Sequence, residues 1–281
     1  MKFYFTHNFS EYMDIIKSEE KKLQSHKDYI NQRIPNSECN FFVNGYCYPA
    51  KKQVDFLCNF QWGGGFPNVN WREQLSCPET GLNNRMRFSI HLIDSFLNLS
   101  TNSDLYIMEQ ATPLFRYLSG EHPNIIGSEF LGDALALGSV DRHNIRNEDS
   151  TALTFPNDSF DAILSYDVFE HVPNFKLAFK ESYRTLKNGG RLLFSAPFNS
   201  NSEKNQIRAI LKKNGNIEHL MTPEFHSDPI GGGEGILCYQ HFGWEILDDL
   251  KLAGFKDAFA IVGWSEELCY FTPQIQFLAI K

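Results

Sequence analysis

Residues 148–190 read EDSTALTFPNDSFDAILSYDVFEHVPNFKLAFKESYRTLKNGG, and this stretch decides the fold. Within it, Asp161-Ala162-Ile163-Leu164-Ser165 is a short, mostly apolar run, the form taken by a strand covered on both faces. A helix is expected over residues 175–186, and Lys187-Asn188-Gly189-Gly190 supplies its stop and a turn. Arg191-Leu192-Leu193-Phe194-Ser195 then reads as the next strand. Strand, helix and strand in that order form one unit of a parallel sheet.

The same alternation continues outward on both sides. Upstream, residues 105–108 read as a strand, 113–118 as a helix and 124–127 as a second strand. Downstream, a helix over 243–252 stops at Gly254, and strands follow at 258–262 and 274–280. Before the first strand, Phe88, Leu92 and Phe96 recur at helical spacing behind Asn84, a candidate cap. The sheet's ligand site is expected beyond the carboxyl ends of its strands. Glu109 ends the first strand there, and Glu129 lies 20 positions later, the spacing of a ribose-binding carboxylate.

Four pieces of the central stretch follow one another in a set order: Glu148-Asp149-Ser150, then Leu153 to Asp161 with Phe155-Pro156 and Ser159-Phe160-Asp161, then Asp167-Val168-Phe169-Glu170-His171-Val172, then Leu186-Lys187-Asn188-Gly189-Gly190. In this order and spacing the chain resembles the class I S-adenosylmethionine-dependent methyltransferases. The resemblance implies a Rossmann-like α/β fold over residues 84–281, with a mostly parallel seven-stranded sheet, flanking helices and an antiparallel last strand. It implies S-adenosylmethionine as cofactor, with Glu129 on the ribose and Asp149 on the adenine amino group. The Ser150 amide would meet an adenine ring nitrogen, and Glu109, Ala111 and Asp167 would line the same pocket. The loop Glu109-Gln110-Ala111-Thr112-Pro113 departs from the family's spaced glycines, although proline is well placed in a helix's first turn.

The acceptor would be a small molecule or a glycan, methylated on oxygen. His226, in Thr222-Pro223-Glu224-Phe225-His226-Ser227-Asp228-Pro229, is expected to serve it as a general base or orienter, with Asp228 steadying the ring. His171, beside Glu170, is the second candidate. Residues 199–242 form a long insertion containing Gly231-Gly232-Gly233, read as an acceptor lid, with Phe225, Tyr239, Phe242 and Trp244 as aromatic walls. Two rivals stay open: a catalytically silent nucleotide-binding protein of this fold, and a nicotinamide oxidoreductase, against which the missing glycine fingerprint argues.

Composition limits the partners. The 281 residues are 42% hydrophobic and include 25 Phe, ample for a large core, and the net charge of -8 disfavours a nucleic-acid partner. No run of about 20 apolar residues suggests a membrane span, no signal peptide is evident, and a cytoplasmic protein is expected. Residues 1–83 form a separate N-terminal part, with an amphipathic helix over 9–32 and a loop-rich module over 37–83. That module resembles a zinc knuckle in which Cys47-Tyr48-Pro49-Ala50 and Cys77-Pro78-Glu79-Thr80 have each lost the second thiolate. A metal-free remnant is therefore expected, with no metal site in the chain.

Overall fold

A computed structural model describes residues 1–228, 230, 231, 233 and 235–281, so Pro229 and Gly232 of the expected lid lie outside the described residues. The chain divides into two compact units. One comprises Met1–Thr6, Ser10–Asn98 and Ile261–Gln276, and the other His7–Phe9, Leu99–Ala260 and Phe277–Lys281.

The strands are β1 (Phe3–Thr6), β2 (Phe41–Cys47), β3 (Lys52–Cys58), β4 (Leu105–Ile107), β5 (Ile125–Gly127), β6 (Phe160–Tyr166) and β7 (Leu186–Ser195). Six short strands follow: β8 (Gln206–Ile207), β9 (Ala209–Leu211), β10 (Ile217–His219), β11 (Phe225–His226), β12 (Ile236–Leu237) and β13 (Gln240–His241). The chain closes with β14 (Asp257–Ser265) and β15 (Tyr270–Ile280). The helices are α1 (Phe9–Ser18), α2 (Glu20–Asn31), α3 (Asn84–Phe96), α4 (Pro113–Glu121), α5 (Phe175–Thr185) and α6 (Glu245–Ala253).

The main sheet has seven strands in the order β1-β14-β15-β7-β6-β4-β5. β4 pairs in parallel with β5 and β6, and β6 in parallel with β7. β15 runs antiparallel to β7, with Phe277 opposite Phe194. This is the Rossmann-like arrangement expected from the sequence. Its seventh strand comes from Phe3–Thr6, whereas the segment between β5 and β6 contains two isolated bridges, parallel from Glu129 to Asn147 and antiparallel from Val140 to Arg146.

Local chemistry sets the element ends. Thr112 caps α4 by accepting from the Phe115 amide, and Pro113 fills the first helical position, where a missing N–H costs nothing. Gly254 ends α6 in the left-handed conformation at φ 119°. The Lys187–Gly190 turn is absorbed into β7 as an irregularity, where the pairing jumps from Phe160–Leu186 to Ala162–Arg191. Asn83 rather than Asn84 caps α3, through the Met86 amide. Asn84 is instead buried, its side chain donating to the Trp71 and Phe271 carbonyls.

In the first unit the expected 9–32 helix is two helices interrupted at Glu19. The loop-rich module is largely a β hairpin: Phe41, Val43 and Cys47 of β2 and Val54, Phe56 and Cys58 of β3 all face the core. Cys47 lies 3.1 Å from Cys77, sulfur to sulfur, while Cys58 points to the Phe56 carbonyl and Cys39 is exposed. Cys47 and Cys58 thus follow the hairpin's alternation, and the groups of three metal-ligating side chains among the described residues lie elsewhere.

Candidate functional site

The carboxyl ends of β4, β5 and β6 carry the acidic residues singled out in the sequence. Glu129, two residues beyond β5, accepts from the backbone amides of Gln110 (2.7 Å) and Ala111 (2.8 Å) through one carboxylate oxygen. Burial pushes its pKa up, and those two amides oppose the shift by stabilising the charged form. The loop after β4 is therefore shaped by a carboxylate and by Gln110, whose side chain donates to the Asn144 carbonyl and accepts from the Arg146 amide. No residue from Glu109 to Pro113 needs positive φ, which is how the loop dispenses with glycine. Glu109 is buried at the strand end.

Asp149 and Ser150 are half-buried, and one Asp149 oxygen accepts from the amide and hydroxyl of Thr151. The neighbouring Glu148 is fully engaged in holding Arg146 and Thr154. Asp167 follows β6 at φ 57°, in the left-handed region, with Ser195 donating its hydroxyl to Asp167 Oδ1 at 3.0 Å. An Asp tolerates this conformation better than most residues, and such positions cluster at functional sites.

A second group of side chains forms where the insertion meets the turn at Phe169–His171. Gln240 donates to the Phe169 (2.6 Å) and Val172 (3.1 Å) carbonyls, and the Tyr239 amide donates to the Glu170 carbonyl. These bonds hold the insertion against the turn and bring three residues together. Glu170 Oε1 lies 3.5 Å from His226 Nδ1 and 3.6 Å from His171 Nε2. His226 Nε2 is in turn 3.0 Å from Glu224 Oε1, which His241 Nε2 also meets at 3.0 Å, and Arg208 pairs with the other Glu224 oxygen.

The electrostatics follow from burial and neighbours. Glu170 is wholly buried, which pushes its carboxyl up. Glu170 and Glu224 raise the pKa of His226, whereas burial lowers that of His171. The structure thus brings His171 and His226, the two alternative candidates of the sequence, together and supplies a different orienting group from the expected Asp228. Asp228 caps the Ile230 amide, and Glu224 holds the His226 ring instead.

Glu170 and Glu224 were quoted in the sequence motifs without being assigned to the site. Glu224 and His226 stand two apart around β11, a spacing that sends side chains to one side of a strand. The expected aromatic walls are mostly core: Phe242 packs on Phe175, Trp244 packs on Phe198, and Tyr239 is buried. Phe225 alone of the four is exposed.

A family model described as a methyltransferase domain matches residues 115–194. Sterol 24-C-methyltransferase erg6 of Aspergillus fumigatus is 28% identical over 116 residues, 39% of this chain and 28% of that protein. Sterol 24-C-methyltransferase erg-4 of Neurospora crassa is 26% identical over 142 residues, 47% of this chain and 34% of that protein. The chain therefore spans about a third of the length of these relatives. A solved S-adenosylmethionine-dependent methyltransferase of Methanosarcina mazei is 15% identical, covering 67% of this chain and 95% of its own, with a TM-score of 0.41. The matched segment runs through β5, β6 and β7, the strands that carry Glu129, Asp167 and Ser195 beyond or at their carboxyl ends, and over these residues the chain matches a methyltransferase domain.

Proposed function

We propose that this chain transfers the sulfonium methyl group of S-adenosylmethionine to an oxygen of a small-molecule or glycan acceptor. The observation that carries the reading is the convergence of His226, His171 and Glu170 just past β6, beside Asp167, whose charge acts on Glu170. The cofactor would lie over the β4 and β5 ends, its ribose on Glu129 and its adenine at Asp149 and Ser150, with Glu109, Ala111 and Asp167 around it.

The acceptor oxygen attacks the methyl carbon in line, and the C–S electron pair passes to sulfur. The hydroxyl proton leaves through the His226 cluster to solvent, so the products are a methyl ether, S-adenosylhomocysteine and a proton. The protein's part is alignment and proton handling, since the sulfonium supplies the reactivity. The sterol methyltransferases that share part of the sequence support a small acceptor, and the net charge of -8 argues against nucleic acid.

The test is incubation with methyl-labelled S-adenosylmethionine and fractionated cell extract. Label is expected in a low-mass product, with His226→Ala slowing transfer to the identified acceptor by about 100- to 10,000-fold while cofactor affinity is retained. Label confined to protein or nucleic acid would overturn the acceptor class. Full turnover in the variant would leave His226 a packing residue.

A further inference from the structure

We infer that Glu170, His171 and His226 form a binding site for one divalent transition-metal ion. The argument begins with proton positions. His171 Nδ1 lies 2.8 Å from the Leu237 carbonyl, which can only accept, so Nδ1 carries the hydrogen and the neutral ring's Nε2 presents a lone pair. His226 Nε2 lies 3.0 Å from a Glu224 carboxylate oxygen, which places a hydrogen there, so that in the neutral ring Nδ1 is the lone pair. Both lone pairs face the same oxygen, Glu170 Oε1, at 3.6 and 3.5 Å. With both rings neutral, three electron-rich atoms converge with no hydrogen between them, and a metal ion entering the site would displace the Nδ1 proton of a charged His226.

Glu170 makes that convergence costly. It is 0% exposed, and neither of its carboxylate oxygens has a hydrogen-bond partner among the described residues. A buried carboxylate without hydrogen bonds is strongly destabilising unless a cation meets it. A divalent ion satisfies all three groups at once. In a tetrahedral site with bonds of about 2.0–2.1 Å, ligand atoms stand roughly 3.3 Å apart. The separations of 3.6 and 3.5 Å sit close to that edge, and the three ligand atoms all fall within 4.8 Å of one another.

The next layer of partners fits the same reading. Metal-bound histidines ordinarily donate their other ring N–H to a carbonyl or a carboxylate, and the Leu237 carbonyl and Glu224 fill those roles. Asp167 and Asp228 add negative charge around the group, against Arg208 on the far oxygen of Glu224. Imidazole ligands with one carboxylate suit zinc, iron(II), nickel or copper better than magnesium or calcium. The neighbouring set of Glu224, Cys238 and His241 is less apt, because Glu224 already meets His226, His241 and Arg208 and the Cys238 thiol points to the Gln240 carbonyl.

The ion's role rests on the methyl-transfer reading; its binding does not. With an acceptor hydroxyl as a further ligand, the metal would lower that group's pKa. The proton would leave to solvent, and the bound oxygen would attack the methyl carbon as the C–S pair passes to sulfur.

The experiment titrates the full chain, stripped with chelator and dialysed, with cobalt(II) and then zinc(II), without cofactor or acceptor. One ion per chain is expected, with a cobalt d–d band that zinc displaces. His171→Ala and His226→Ala should each weaken binding more than Glu224→Gln, for which a loss of roughly 10- to 100-fold is expected. His241→Ala and Cys238→Ser should keep the site. Glu170→Gln, of nearly the same shape, serves if a histidine variant fails to fold, and should also lose the ion. No stoichiometric binding, binding retained in the ligand variants, or a cobalt–thiolate band that disappears in Cys238→Ser would overturn the site. Metal binding without any methyl transfer would count against the proposed function alone.

Discussion

At the scale of single residues, the Glu129 carboxylate holds the loop beyond β4 and is proposed to hold the cofactor ribose as well. Its Oε1 accepts from the Gln110 and Ala111 amides and so shapes the loop beyond β4. The proposed ribose contact uses the other oxygen. Glu129→Ala removes both and should weaken S-adenosylmethionine binding by about 1 to 3 kcal/mol, the range for losing a charged hydrogen-bond partner. Asp149→Ala should fall towards the low end, because Thr151 already takes one of its oxygens. Calorimetry on the folded variants measures both, and unchanged affinity in each would move the cofactor elsewhere. Glu129 was singled out in the sequence by its spacing beyond a strand end, and Asp149 by the family resemblance. The roles of Glu170 and Glu224 were not legible there, since each depends on a partner that only the fold brings near.

At the scale of elements, alternating strands and helices from β4 to β15 were readable because short apolar runs were separated by caps and glycines. The β2–β3 hairpin was missed. Its inward face contains Cys47 and Cys58 among Phe and Val, so a period of two was read as spaced thiols. The insertion was read as an acceptor lid without assigned strands, and among the described residues it contains three short antiparallel ribbons, β13–β8, β10–β9 and β11–β12. Gly235 belongs to this design. It sits at φ 93°, and a Cβ there would lie 2.1 Å from the His226 carbonyl oxygen. Gly235→Ala should therefore displace β11 and His226 while leaving the main sheet intact. A misplacement of about 1 Å commonly costs on the order of 100-fold in rate. Single-turnover methyl transfer should slow by that order with cofactor affinity unchanged, and a variant with the parent's rate would show that His226 tolerates displacement.

At the scale of the whole molecule, the methyltransferase sheet was predictable in class and in its antiparallel last strand, but its membership was not. Phe3–Thr6 is four residues long and only partly buried, too short for periodicity to separate it from the start of a helix. Conversely, the stretch after β5 is held less by strand pairing than by side chains such as Asn147, which bonds the backbone at residues 131, 132 and 135. Among the described residues no helix is long and apolar enough to cross a membrane. The central claim is that the carboxyl edge of this sheet binds S-adenosylmethionine, and thermal unfolding with and without ligand tests it most directly. A ligand at about 100 times its dissociation constant adds roughly 2.7 kcal/mol to stability, which corresponds to several degrees in a chain of this size. S-adenosylmethionine and S-adenosylhomocysteine should both raise the Tm of the parent by that order, less so in Glu129→Ala, and NAD should leave it unchanged. No shift with either sulfur ligand at millimolar concentration, or a larger shift with NAD, would contradict the account.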